Sequence, residues 1–344
     1  MHLSTIVKDY QARKAAPKAS LMRIPVFVFM FALLLPWPVL AQETNPPAGQ
    51  KDQTPAFRKS VNLVNLFFTV KDKHGALVPN LTQDHFDLLE EGKPQTIKYF
   101  SAESNQPLTL GIMIDSSGSM QQMLPEEQIV AGNFLHQVVT DKDLAFVISF
   151  DISVDLLQDL TSDVRLLRAG LKKAKINTGT ASGGVPGLGQ GPFPISHPKG
   201  TLLYDAVYLG AHDILSQQVG RKAMIILTDG VDQGSRLKLR DSIEAAQKAD
   251  VICYVLLISD PQYGSDMFGM SQLAEQTGGR AIAVRNPDKL STAFAEIANE
   301  LRSQYSIGYT STTEKHDGSF RRLEVKSKEG YKIQARKGYY APVE

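Results

Sequence analysis

The sequence predicts an α/β protein: a doubly wound, mainly parallel sheet in the centre of the chain, flanked by a small β-sandwich built from its two ends. Three observations carry this. In the centre, short unbroken apolar runs alternate with helical patterns, and strands buried on both faces of a parallel sheet have that continuous apolar character. Before and after the centre, the texture changes to β-rich runs separated by turn residues. Neither terminal segment supplies enough two-sided core to fold alone, so the two are expected to pair.

Taken in order, residues 24–41, IPVFVFMFALLLPWPVLA, form an apolar run after Arg23, with Lys8, Arg13, Lys14 and Lys18 ahead of it. Val39-Leu40-Ala41 offers small residues for a peptidase, so residues 1–41 read as a signal peptide, and Met22 as an alternative start would give a more typical one. The competing reading is an uncleaved N-terminal anchor, against which Pro36 and Pro38 count as helix breakers. The expected location is periplasmic or extracellular. Residues 42–57, QETNPPAGQKDQTPAF, are polar and Pro-rich and form a linker.

Residues 58–104 form the N-terminal β segment, opening with VNLVNLFFTVKDKHG, turning at Asp72–Gly75 and closing with PQTIKYFS. Residues 105–304 form the central domain. Its strands are expected at Leu108–Ile114, Leu144–Phe150, Ala223–Leu227, Val251–Ile258 and Ala281–Val284, with helices over EEQIVAGNFLHQVV, VRLLRAGLKKAK and LLYDAVYLGAHDILSQQ. Residues 305–344 form the C-terminal β segment, with turn signals at His316-Asp317-Gly318 and Glu329-Gly330.

The 344 residues are 42% hydrophobic and 21% charged, an ordinary globular composition, with a net charge of +1. This excludes the strongly basic footprint of a nucleic-acid-binding protein and leaves no polybasic membrane patch. Membrane contact is expected only through an uncleaved N-terminal segment. The single cysteine, Cys253, lies in an apolar run, so no disulfide can form within the chain and the thiol reads as packed core.

In open α/β sheets, ligands bind outside the carboxyl ends of the strands. The first central strand, TLGIMI, ends in Asp115-Ser116-Ser117-Gly118-Ser119, and the strand AMIILT ends in Asp229-Gly230. A hard cation such as Mg²⁺ takes about six oxygen ligands and keeps some water, so hydroxyls with one or two carboxylates suit it. Neutral hydroxyl ligands leave the ion electron-poor and receptive to an acidic group from a partner. A strand-end loop of Asp, Ser and Gly is also simply a good turn, so this cluster alone is a weak signal.

The signal sharpens when three segments are read together. IMIDSSGSM, GTLLYDAV and IILTDG, in that order, resemble the three parts of the metal-ion-dependent adhesion site of von Willebrand factor A-type domains, over about residues 106–304. The resemblance implies a metal site of Asp115, Ser117 and Ser119 from the first segment, Thr201 from the second and Asp229 from the third, holding Mg²⁺, Mn²⁺ or Ca²⁺. The flanking phrases FFTVKDKHG, HFDLLEEGKPQTIKYF and RRLEVKSKEGYKIQARKGYYAP are similar to a bacterial family of exported von Willebrand factor A-related proteins.

The Gly/Pro-rich stretch 176–200, leading into Thr201, departs from a minimal domain of this type and is long for a loop in a compact domain. It reads either as a partner contact or as an insertion without consequence. His136 and His212 fall in helical patterns and read as ordinary helix residues, and His197 as a solvated loop residue. Asp205 and Asp232 read as residues that tune the site or cap local structure.

Enzyme readings lack their motifs. Ser117 has no Gly-x-Ser-x-Gly setting, Asp115 has Ser117 where an aspartyl-phosphate mechanism wants a second carboxylate, and no phosphate-binding glycine motif or Cys/His zinc cluster is present. The expectation is therefore an exported, non-enzymatic module that binds a protein ligand through a cation and the partner's acidic side chain. The alternative is a periplasmic scaffold or accessory factor of an envelope complex with a structural metal; a hydrolase is the weaker alternative.

Overall fold

The structure, a computed structural model, describes residues 63–102, 106–176, 200–258, 265–313 and 315–343. The expected signal or anchor segment, the linker, His197 and all but the ends of the Gly/Pro-rich stretch lie outside the described residues. The described residues belong to one compact unit, Val61–Glu344.

The chain opens with β1 (Leu63–Lys71), β2 (Phe86–Glu90), β3 (Lys93–Gln95) and β4 (Ile97–Ser101). The central part follows as β5 (Leu108–Asp115), α1 (Leu124–Val138), β6 (Leu144–Phe150), β7 (Val154–Thr161), α2 (Val164–Leu171), α3 (Leu203–Tyr208) and β8 (Arg221–Thr228). It continues through α4 (Leu239–Lys248), β9 (Val251–Ile258), α5 (Met267–Thr277), β10 (Ala281–Val284) and α6 (Pro287–Arg302). The closing strands are β11 (Tyr305–Thr310), β12 (Phe320–Ser327), β13 (Lys332–Ala335) and β14 (Gly338–Tyr340).

The two ends interleave. One four-stranded sheet has the order β13-β1-β11-β4 and the other β14-β12-β2-β3. β1 pairs antiparallel with both β11 and β13, and β2 with β12, so each sheet is completed by strands from the other end of the chain. Alternation along β1 sends Val64, Leu66, Phe68 and Val70 inward against Phe86, Leu88, Ile307 and Val325. Phe68 stacks on Tyr305 with ring centroids 5.5 Å apart and meets Phe86 edge-on at 5.1 Å.

The central sheet has the order β10-β9-β8-β5-β6-β7. Its pairs are parallel except β6–β7, which is antiparallel. Every residue of β5 and β9 is buried, which is why these runs are continuously apolar. On one face, Leu110, Ile112 and Ile114 pack with Phe134 of α1 and Phe294 of α6. On the other, Met113 and Ile226 pack with Val207, Ile243 and Met270 of α3, α4 and α5. Cys253 is fully buried, and burial pushes its thiol up to about 12.

The edge strand β7 is largely half-buried, mixing polar and apolar residues without a regular period, so it lacks the signature that marked the buried strands. The expected helix from Leu202 stays α-helical only to Tyr208, then widens to a π turn at Leu209–Ile214 and tightens to a 3-10 turn at Leu215–Gln217. The helix over VRLLRAGLKKAK ends at Leu171.

The topology sets the position of the site. From β5 the chain passes through α1 to β6 on one side, whereas from β8 it passes through α4 to β9 on the other. Strand order thus reverses between the neighbours β5 and β8, and the crevice beyond their carboxyl ends is the switch point of the sheet.

Candidate cation site

Asp115 is the last residue of β5, and Asp229 directly follows Thr228, the last residue of β8. One oxygen of Asp115 accepts the Ser117 amide at 3.0 Å and the other accepts the Thr228 hydroxyl at 2.7 Å. That pins the turn after β5 to the end of β8. A 3-10 turn at Gly118–Met120 then brings Ser119 back over Ser117, with their hydroxyl oxygens 3.0 Å apart. Ser119 donates to Asp229 Oδ2 at 2.6 Å, while Asp229 Oδ1 accepts the Val231 amide at 2.9 Å. Asp115, Ser117, Ser119 and Asp229 are therefore joined in one bonded set at the switch point.

Thr201 reaches the same edge through the main chain. Its carbonyl accepts the Gln233 amide at 3.1 Å, and the next amide, that of Leu202, donates to the Asp151 carbonyl at 2.8 Å. The approach to α3 is thus tied to the loops after β8 and β6. Asp205 and Asp232 hold this arrangement: Asp205 accepts the amides of Arg236 and Leu237, and Asp232 accepts the Tyr204 amide and the Ser235 hydroxyl. They are loop staples. Gly230 takes φ +84, and a Cβ there would lie 2.8 Å from Met270 and 2.9 Å from Leu257, so the turn carrying Asp229 needs glycine.

The site gathers carboxyl groups in a dry place. Asp115 is fully buried, and burial pushes its carboxyl up to about 6 against the hydrogen bonds from Ser117 and Thr228, with the charge of Asp229 raising it further. Glu127, in the first turn of α1, is also fully buried, and neither of its carboxylate oxygens has a hydrogen-bond partner. Desolvation, and then the charge of Asp115, hold its carboxyl well above the usual range.

These residues fit a hard divalent cation. Hydroxyl and carboxylate oxygens are the donors such an ion takes, and buried carboxylates with unmet acceptor oxygens gain from positive charge. Among the described residues no cluster of three or more His, Cys, Asp and Glu is placed to hold a metal, so the fit rests on the serine hydroxyls together with the acids.

Sequence reading missed three residues here. Asp151 follows β6 at the same edge, where its carboxylate accepts the Ser116 hydroxyl at 3.3 Å; the strand-end rule that marks Asp115 and Asp229 marks it equally. Thr228 closes the apolar run of β8 and reads as part of the strand. Glu127 shares a helix face with Val130, Ala131 and Phe134, all buried, and an acid in that phase is the signal. His136 and His212 are exposed, with His212 Nδ1 paired to Asp213 at 2.7 Å.

The sequence matches no protein-family model and no curated protein. In fold, the chain is similar to a von Willebrand factor type A protein from Catenulispora acidiphila, at 12% identity and a TM-score of 0.46, over 82% of this chain and 73% of that one. It is similar to BatB from Bacteroides thetaiotaomicron, at 17% identity and a TM-score of 0.40, over 56% of this chain and 99% of that one. A third similar structure is the vWF domain of the type V pili tip protein Mfa5 from Porphyromonas gingivalis, at 12% identity and a TM-score of 0.42, over 56% and 94%.

Proposed function

We propose that this chain is an exported, non-enzymatic protein-binding module, used in adhesion or assembly, whose contact edge is the β5–β8 switch point carrying a divalent cation. The observation that carries this is the bonded set Asp115, Ser117, Ser119 and Asp229 beyond the ends of two neighbouring parallel strands. Ser117, Ser119 and Thr201 would give their hydroxyl oxygens to Mg²⁺, Mn²⁺ or Ca²⁺, with Asp115 and Asp229 orienting that shell. When bound, the ion supplies a positive centre that an acidic side chain of a partner protein can complete. The resemblance of the three loop segments to the adhesion site of von Willebrand factor A-type domains supports the same assignment.

Ser117 has the neighbours of a ligand rather than of a nucleophile. Its hydroxyl pairs with Ser119, and Ser119 donates onward to Asp229, so the serine pair ends on a carboxylate with no imidazole in the chain of bonds. The rim is apolar as well as charged. Phe268, at the start of α5, is 81% exposed, and the nearby Asp266 amide donates to the Asp229 carbonyl at 3.3 Å. A partner with an apolar side chain beside its acid suits this edge.

The second reading, a scaffold with a structural metal, is favoured by an open groove of about 500 Å³ between α4, α5 and the sandwich, lined by Ile243, Gln247, Gln276, Phe320 and Tyr340. Selection from a displayed peptide library in Mg²⁺, followed by elution with a chelator, separates the two. The proposal expects enriched peptides with a shared Asp or Glu, whose binding is lost on chelation or on changing that acid to its amide. Binders indifferent to both would overturn it in favour of the groove.

A further inference from the structure

Every other deeply buried carboxylate described here is matched by the protein itself. Asp143 accepts the Leu108 amide and the Thr140 amide and hydroxyl. Glu300 accepts Lys71, Arg280 and Gln334, and Glu90 accepts Tyr309 and Ser311. Glu127, fully buried, is the exception: both oxygens lack a partner. Leaving a buried polar group unmatched costs about 1–3 kcal/mol, more when it is charged, and a leucine or glutamine in the same helical phase would avoid the charge. A position that serves packing alone has no use for an acid.

Its place on the chain says what the acid faces. Met123 donates to the Met120 carbonyl at 3.0 Å and Glu127 to the Met123 carbonyl at 2.9 Å, so the Ser117–Met120 turn runs without a break into α1. Helical side chains lean toward the N-terminus, so Glu127 leans toward Met123 and the stretch that leads back to Ser119 and Ser117. We infer that Glu127 is a positioning residue of the cation site, its two unmatched carboxyl oxygens available, beside Asp115, to answer the positive charge that a bound ion would bring. The negative charge of Asp115 acting on Glu127 fits that proximity. Residues that hold a metal's ligands in place typically change affinity about 10–100-fold when altered.

This inference rests on the cation reading above, and titration of MgCl₂ and MnCl₂ into the full chain, wild type beside Glu127→Gln, separates their failures. Expected is Mg²⁺ binding weakened about 10–100-fold in the variant, with a metal-free melting temperature equal to or above that of the wild type. A merely structural glutamate would not split the two readouts in this way. Wild-type affinity in a folded Glu127→Gln overturns the role of Glu127 and leaves the site standing. Absence of binding to the wild type overturns the site and this role with it. Should the glutamine variant fail to fold, Glu127→Asp decides: binding weakened several-fold supports the inference and unchanged binding overturns it.

Discussion

Glu90 and Glu127 are both almost completely buried acids, yet their surroundings differ in kind. Glu90, in the sandwich, accepts Tyr309 at 2.7 Å and Ser311 at 2.7 Å, with Tyr339 at 3.3 Å and the Arg321 guanidinium at 3.6 Å. Glu127, behind the β5 turn, accepts nothing. The sandwich spends its buried acid on closing a seam: Glu90 ends β2 from the N-terminal segment, and all four partners come from the C-terminal segment. The central domain instead leaves acceptor oxygens uncommitted beside a strand end rich in hydroxyls. The contrast distinguishes polar groups that hold a fold from polar groups held ready for a ligand.

The contrast can be broken at several strengths. Glu90→Ala takes the counter-charge from the buried Arg321, which keeps only neutral acceptors such as Ser311, Thr313 and Tyr339, and should cost about 3–5 kcal/mol in urea unfolding, with Mg²⁺ affinity unchanged; loss of cation binding in the folded variant would erase the division of labour. Gly230→Ala forces a side chain into a left-handed turn and toward Met270, at a cost of about 1–3 kcal/mol. Because Asp229 rides on that turn, the same variant should also weaken Mg²⁺ binding, and titration beside thermal melting checks both effects.

Asp205→Asn removes the charge that accepts two loop amides and should cost about 1 kcal/mol, measured by the same unfolding curve. Smallest of all is Cys253, whose thiol is sealed in the core and pushed up to about 12. It should resist an aromatic disulfide reagent in the native protein and react fully once unfolded; native reactivity would show that the sheet opens where packing says it does not.

The parts of the fold that were legible in the sequence are those where one physical demand dominates. Strands buried on both faces can only be apolar, so β5, β6, β8 and β9 stand out, and the polar residues that end them mark the functional edge. The half-exposed β7 obeys two demands and left no clean signature. Pairing of the two ends followed from their shortage of core rather than from any pairing signal.

At the site, Asp115 and Asp229 were legible as strand ends and Thr201 only through resemblance, since its place depends on main-chain bonds to Asp151 and Gln233 that no local pattern encodes. Glu127 escaped because Glu-Glu-Gln at a helix start has the look of a solvated turn. Its burial follows from helical phase once α1 is laid on the sheet.

The most direct test of the cation edge is calorimetric titration of Mg²⁺ into the wild-type chain and into Asp115→Ala, both checked for native folding by circular dichroism. Saturable binding to the wild type and none to the variant is the expected result. No binding to the folded wild type, or equal binding to both proteins, would contradict it.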